Sequence, residues 1–523
     1  MKMKNLSFLI LIGQLALGCK VDAGDDNRSG KAGSNPSKLD AGDDNRSGKA
    51  ASTPSKLDSG DDNRSGKAAS NPSGQRIDLS GSGATADKPN IVFFISDDHT
   101  LHDTGAYGNQ QVMTPNIDKL ASEGMTFNNV YAASAMCAPS RSALYTGMYP
   151  YRNGNNRNHG SIKKNVKSVA HYLKDLGYRV ALAGKTHIKP KKQFQFKYLE
   201  VKAWAKIENF MTKKPDQPFV LFYASHNPHS PHLRKGPFKG KEDKIITPPH
   251  QLDTAATRKK ISRYYNDIYA MDREMGKLRD LVQQADLKPK TAFFYAADHG
   301  YSLFAKWTLY DAGVRVPFMV SWPEMVKAGS KNDGLVSFVD VLPTMVEMVG
   351  GTPPAAPATI DGKSFLPLLM GSDNEHHDYV FATHTNKGII NGKAFPSRAI
   401  RSKQYKLILN PCKGCINQNT QTHDGGPKNK GVFKSWLELA RIDAFAWDRV
   451  NLWLSRPEIE LYDIQNDPNE LENLADREDM QTIKQDLNGR LLAWMQQQQD
   501  RALDFNWDKK NHKPWVKLPP RPE

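Results

Sequence analysis

The chain has 523 residues and a mass of 58.5 kDa, enough to bury a large core and too long for a peptide hormone or a single small module. It is 38% hydrophobic and 24% charged, with a mean hydropathy of −0.63 and no long apolar run beyond Leu6 to Gly18, which excludes a polytopic membrane protein. Seventy-two Lys+Arg against 56 Asp+Glu leave a net charge of +16, a field that concentrates anionic partners near the surface.

The N-terminus reads as an export signal. Lys2 and Lys4 precede the apolar stretch Leu6–Ile12, and Ala16-Leu17-Gly18-Cys19 closes it with small residues before a cysteine. This resembles a bacterial lipoprotein signal, in which Cys19 would carry the lipid, although Ala16 stands where Leu is usual. Residues 1–18 are therefore expected to be the signal, and the mature protein to be periplasmic or lipid-anchored at the cell envelope.

Residues 19–86 are expected to form a disordered tether. Asp22-Ala23-Gly24-Asp25-Asp26-Asn27-Arg28-Ser29-Gly30-Lys31-Ala32 recurs from Asp40 and, with Ser59 for Ala41, from Asp58, a period of 18 residues. Each unit offers at most one large apolar side chain, Leu39 or Leu57, so nothing offsets the entropy of ordering and a solenoid is excluded. Asp22 to Gln75 holds nine Asp and eight Lys+Arg, which assigns the positive charge to the rest of the chain. As a flexible coil such a segment would span roughly 40 Å.

From 87 to 370 the pattern is that of an α/β domain with a large, mostly parallel sheet flanked by helices. Four short apolar runs end abruptly in ionisable residues: Ile91–Ile95 into Asp97-Asp98-His99, Val180–Ala183 into Lys185-Thr186-His187, Phe219–Tyr223 into His226-Asn227-Pro228-His229, and Ala292–Tyr295 into Asp298-His299-Gly300. Helices are predicted between them, one from Thr114-Pro115 to Gly124 and one from Val166 to Leu176 before Gly177. In such sheets ligands bind beyond the carboxyl ends of the strands, where all four polar clusters fall. Asp97, Asp98 and Asp298 together would repel one another unless a hard divalent cation lay between them. Lys185, His187, His229 and Lys306 would add groups able to hold an anion or deliver protons.

The segment Cys137-Ala138-Pro139-Ser140-Arg141-Ser142-Ala143-Leu144-Tyr145-Thr146-Gly147 predicts a short helix with a cysteine at its N-terminus and glycine as its stop. An unmodified thiol there would be a low-pKa nucleophile, which leaves a cysteine hydrolase as one reading. The spacing Cys-x-Pro-Ser-Arg, with Leu at the eighth place and Thr-Gly at the tenth and eleventh, resembles the signature of type I sulfatases at every fixed position. The resemblance runs from about Lys88 into the C-terminal region. It takes in Lys306, Thr308–Pro317, Arg401–Ile408 and Glu460-Leu461-Tyr462-Asp463, and implies a subdomain at 371–523 with an antiparallel sheet and a helix.

The resemblance implies that Cys137 is oxidised by a maturation enzyme to formylglycine (3-oxoalanine), whose hydrated aldehyde attacks sulfur and expels the alcohol. It implies that Asp97, Asp98, Asp298, His299 and the modified Cys137 hold a divalent cation, calcium in most relatives, with manganese or magnesium as alternatives because His299 stands where many sulfatases have Asn. Arg141 and Lys185 would steady the formylglycine, His187 would take the diol proton, and His229 and Lys306 would bind sulfate and protonate the leaving oxygen. His226, His384 and Arg398 are candidates for substrate contact. Cys412 and Cys415, in Cys-Lys-Gly-Cys, would form a small loop disulfide in an exported protein. Export, the basic body and a likeness to the heparan N-sulfatase branch point to a sulfated saccharide, with no nucleic-acid recognition module in view. The competing readings are a phosphonate monoester or phosphodiester hydrolase of the same superfamily, and a glycan-binding protein without turnover should Cys137 stay unconverted.

Overall fold

The computed structural model describes residues 88–301, 305–422, 431–504 and 517–523. The chain divides into two units, Met1–Arg76 and Ile77–Glu523. The first lies wholly outside the described residues, and with it the export signal, Cys19 and the repeats.

A nine-stranded sheet organises the second unit. Its strands are β1 (Asn90–Ser96), β2 (Met125–Tyr131), β3 (Arg179–Gly184), β4 (Lys197–Leu199), β5 (Phe219–Ala224), β6 (Thr291–Ala297), β7 (Arg315–Ser321), β8 (Ser330–Asn332) and β9 (Val336–Ser337), in the order β4-β3-β5-β1-β6-β7-β2-β8 with β9 also on β2. The five strands from β4 to β6 run parallel, and β7 is antiparallel to both β6 and β2. The four predicted runs are thus β3, β5, β1 and β6, adjacent and pointing the same way.

Every residue of β1 is buried because both faces of the sheet are covered. Ile91, Phe93 and Ile95 pack on one face with Val169, Leu173, Leu342 and Met345; Val92 and Phe94 pack on the other with Ile117, Leu120, Ile268 and Met275. In-register aromatics reinforce the centre: Phe93 stacks on Phe294 at 5.3 Å and Phe94 on Tyr223 at 5.1 Å.

The predicted helices form with small shifts at their ends. Pro115–Glu123 starts after Thr114 and stops before Gly124 as expected. Val169–Asp175 is shorter than the predicted 166–176, because the Ser168 and His171 side chains close a capping box that fixes its start. Cys137–Thr146 ends at Gly147, whose φ of 66° is the left-handed conformation that a helix stop requires.

The second sheet is antiparallel: β10 (Val380–His384), β11 (Ser397–Arg401), β12 (Tyr405–Leu409) and β13 (Ile459–Asp463), in that order. Its one face carries Ile400, Leu407 and Leu461 against Leu487, Leu491 and Trp494 of the helix Gln481–Gln497. The other presents Ala382, Ala399, Ile408 and Tyr462 to Tyr131, Tyr310 and Val314 of the larger layer. Buried charge ties the layers together. Lys406 Nζ pairs with Glu470 at 2.8 Å and with Asp311, which also faces Arg401 at 3.6 Å. Asp340 accepts from the Ser337 and Lys363 amides at 2.8 and 3.0 Å and pairs with His377 at 2.9 Å and His376 at 3.3 Å. Cys412 and Cys415 are joined as a disulfide and buried beside Phe395. Among the described residues no helix is long and apolar enough to cross a membrane.

Candidate active site

The site grows directly from the strand ends. Hydrogen bonding continues one residue past each strand: the Asp97 amide donates to the Asn227 carbonyl, that of Asp298 to Ser96, that of Ser225 to Ile95 and that of Lys185 to Ala224, all at 2.9–3.0 Å. Four polar segments are therefore locked side by side before any side chain is placed. Asp98 holds a left-handed φ of 70°, strain typical of functional turns, fixed by its amide donating to Asp298 Oδ1 at 3.0 Å and its carbonyl accepting from Tyr264 Oη at 2.9 Å. Gly300 follows His299 because a Cβ there would lie 2.0 Å from the Ala312 carbonyl oxygen.

Cys137 opens its helix, buried, with Sγ 3.2 Å from His299 Nε2. One set of mutually close donor atoms contains Asp97, Asp98, Cys137 and His229, and another Cys137, Asp298 and His299. Arg141, one turn along, donates from Nε to Asp298 Oδ2 at 2.9 Å and faces Asp97 at 3.7 Å, with no exposure of its side chain. Ser140 Oγ donates to the Asp298 carbonyl at 2.5 Å. Lys185 pairs with Asp97 and Lys306 with Asp98; His229 Nε2 and His299 Nε2 lie 3.7 and 3.4 Å from Asp98.

These contacts set the protonation balance. Burial raises the Asp97 carboxyl to about 7 despite Lys185. Asp98 is equally buried, yet Lys306, His229 and His299 hold it below the usual carboxylate range. Burial pushes the Cys137 thiol up, but Lys185 and His299 outweigh that and bring it to about 6. Burial and Lys185 lower His187 to about 4, so its imidazole is neutral at pH 7.

The donor set fits a hard divalent cation. Asp97 Oδ1 and Asp98 Oδ1 are buried without a hydrogen-bond partner, an arrangement costly for carboxylates unless a cation takes the free lone pairs. Asp97 and Asp98 in one donor set and Asp298 in the other, joined at Cys137, offer oxygen ligands of the kind calcium, magnesium and manganese prefer.

Above this floor opens a cavity of about 890 Å³ lined by Cys137, Lys185, His187, His226, His229 and Lys306. Asp97, Asp98, Asp298, His299 and Arg141 lie beneath it, fully buried. The candidates His384 and Arg398 do not join the lining. Arg398 is fully buried and bound to Asp500 by Nε and Nη2, the latter at 2.9 Å, with its guanidinium over the Tyr151 ring at 4.5 Å. His384 is buried with Nε2 2.6 Å from Asn386 Oδ1. Both are turned inward on the paired strands β10 and β11, away from the cavity lining. Asp311, in the Thr308–Pro317 segment, likewise serves the inter-sheet ion cluster rather than the cavity. Sequence reasoning missed His159, whose Nδ1 sits 2.8 Å from His187 Nε2, and Lys260, which reaches the cavity from a distant helix.

The model of the family described as Sulfatase matches residues 89–351. The chain belongs to the sulfatase family. A second model, N-sulphoglucosamine sulphohydrolase, C-terminal, matches residues 298–412. An ulvan-active sulfatase of Formosa agariphila is 37% identical over 81% of this chain and 83% of its own length. Human N-sulphoglucosamine sulphohydrolase is 23% identical over 82% of this chain and 92% of its own. Among solved structures, a protein in complex with its substrate D-glucosamine-2-N,6-O-disulfate has a TM-score of 0.62 at 19% identity, with 80% of this chain and all of that one covered. The phosphonate monoester hydrolase of Agrobacterium radiobacter has a TM-score of 0.60 at 17% identity, covering 80% and 97%. At those identities the structures show the shared fold. Family membership makes this chain a sulfatase, a hydrolase of sulfuric esters.

Proposed function

We propose that this sulfatase removes sulfate groups from a sulfated saccharide, using Cys137 after its oxidation to formylglycine by a separate maturation enzyme. The observation that carries the reading is the position of Cys137 at the head of its helix, shared by two sets of donor atoms that include the buried Asp97, Asp98 and Asp298, and lining a cavity large enough for sugar residues. The similarity to the ulvan-active sulfatase supports a saccharide substrate. Export with a tether, and lipidation at Cys19, would place the enzyme at the cell envelope where polysaccharides are met.

Asp97, Asp98, Asp298 and His299 would hold a divalent cation, calcium by our reading, with the modified Cys137 completing the set. Bound there, the cation would withdraw charge from the sulfuryl oxygens and acidify a neighbouring hydroxyl, and the formylglycine would supply that hydroxyl as the nucleophile. Arg141 fixes Asp298, and through its helix the direction of residue 137. His187 is the proton acceptor: with Nε2 hydrogen-bonded to His159, its Nδ1 is buried and unpartnered. His229 has Nδ1 2.6 Å from the Ser230 carbonyl, so that nitrogen carries the hydrogen and Nε2 faces the cavity floor beside Lys306. These two groups would hold the sulfate, and the Lys306 ammonium, or His229 when both of its nitrogens carry hydrogen, would protonate the departing oxygen.

Sulfate release from a panel of defined sulfated oligosaccharides, with aryl phosphonate as the comparison, tests this. Turnover of a sulfated sugar supports it; phosphonate preferred by several orders of magnitude overturns it.

A further inference from the structure

One lysine of the cavity is left without employment by this chemistry. Lys185 and Lys306 are each matched by a carboxylate, and Lys191 lies over the Tyr198 ring at 5.1 Å. Lys260 belongs to the first turns of the helix Ala255–Gln284 and lines the same cavity beside Tyr301, Lys306 and Trp307. Among the described residues it forms no ion pair and no hydrogen bond, although it is half-buried. Burial, with Lys306 and Arg263 nearby, disfavours its charged form, and Asp267 and Asp98 only partly compensate. A desolvated ammonium without a counterion is costly, and a ligand anion arriving there relieves that cost.

The neighbouring wall suits a sugar ring. Trp307 holds a left-handed φ of 66° that places its half-buried indole on the cavity lining, and Ile389, Val432 and Phe433 line it too. A concave surface with apolar walls and one unpaired cation binds a ring that carries an anionic substituent.

Resting on the saccharide reading above, we propose that Lys260 forms a second anion subsite, distinct from the one that holds the scissile sulfate, so that the preferred substrate bears a further carboxylate or sulfate group on the reacting sugar or its neighbour. The contact is an ion pair at a partly dehydrated surface, so the preference it generates falls as ionic strength rises.

The test compares kcat and KM of the full-length, matured enzyme on three disaccharides: one singly sulfated, one with an added uronate carboxylate and one with an added sulfate. The wild type is expected to favour at least one of the two doubly charged sugars tenfold or more in kcat/KM, through KM. In Lys260→Gln that ratio should fall below threefold, and Lys260→Arg should restore it. Which added group gains the most tells carboxylate from sulfate. Sulfate release without any preference in the wild type overturns the subsite alone. An equal loss on all three sugars in Lys260→Gln also overturns it, since Lys260 would then serve the scissile group. Failure to release sulfate from any sugar, with aryl phosphonate turned over, overturns the saccharide reading and the subsite with it.

Discussion

Arg398 separates a structural reading of the C-terminal sheet from a substrate-binding one, and Asp500→Ala tests which holds. The pair is wholly buried on both sides, with the guanidinium also donating to the Ser397 and His384 carbonyls at 2.7 and 3.1 Å. Removing Asp500 leaves a charge without its counterion in the interior, a change that costs about 3–5 kcal/mol. Unfolding entropy near 60 °C is about 2.1 cal/mol/K per residue, which gives about 0.9 kcal/mol/K for the roughly 430 residues of the body. The expected drop in Tm is therefore about 3–6 °C by scanning calorimetry. At temperatures below the transition, KM for a sulfated saccharide should stay within about twofold of wild type, because neither residue lines the cavity. An unchanged Tm together with a tenfold rise in KM would refute the reasoning and return Arg398 to the substrate.

Asp298→Asn should lower metal content and sulfate release together, since it removes one of the carboxylates at the site and the ion pair that Asp298 makes with Arg141 at 2.9 Å; near-normal turnover measured beside elemental analysis would contradict the assignment. Prolonged treatment with a chelator should abolish activity and lower Tm, and calcium should restore both; full activity in metal-free enzyme contradicts the cation site. His384 is buried neutral, its pKa lowered from 6.5 to about 3 by burial. The unfolded chain therefore binds the extra proton first, and stability falls as pH drops through about 6.5, by about 1.6 kcal/mol between pH 6.5 and 5 from this group alone. Denaturant titrations of wild type and His384→Gln should show the variant with the shallower slope over that range; identical slopes would remove His384 as the cause.

Much of this architecture is written locally in the chain. Continuous apolar runs such as Ile91–Ile95 fit strands covered on both faces, and the abrupt polar residues after each mark the same sheet edge once the strands are parallel. That is why Asp97, Asp98, Lys185, His229 and Asp298 were legible as one site. The antiparallel course of β7 was not, since Arg315–Ser321 is as apolar as its parallel neighbours and strand direction depends on connections elsewhere. Nor did Arg398 or His384 reveal its orientation: in a strand, facing inward or outward is decided by register, and a buried partner such as Asp500 lies 102 residues away. Lys260 was hidden for a related reason, as one of several cations on a long helix whose other face is buried in the core, and only tertiary packing brings it to the cavity. Asp311 stood in a family segment beside Lys306, yet its partners are Lys406 on β12 and Glu470 in the loop after β13, which accepts from the Asp311 amide, and they hold it away from the cavity.

The central claim concerns the chemical state of residue 137, and mass spectrometry of the proteolytic peptide that contains it is the most direct measurement, made on a preparation whose sulfate release has been assayed. The account predicts that active enzyme carries an aldehyde there, with one sulfur and two hydrogens exchanged for one oxygen, and that the converted fraction tracks specific activity across preparations. A fully active preparation whose peptide retains an intact thiol would contradict it.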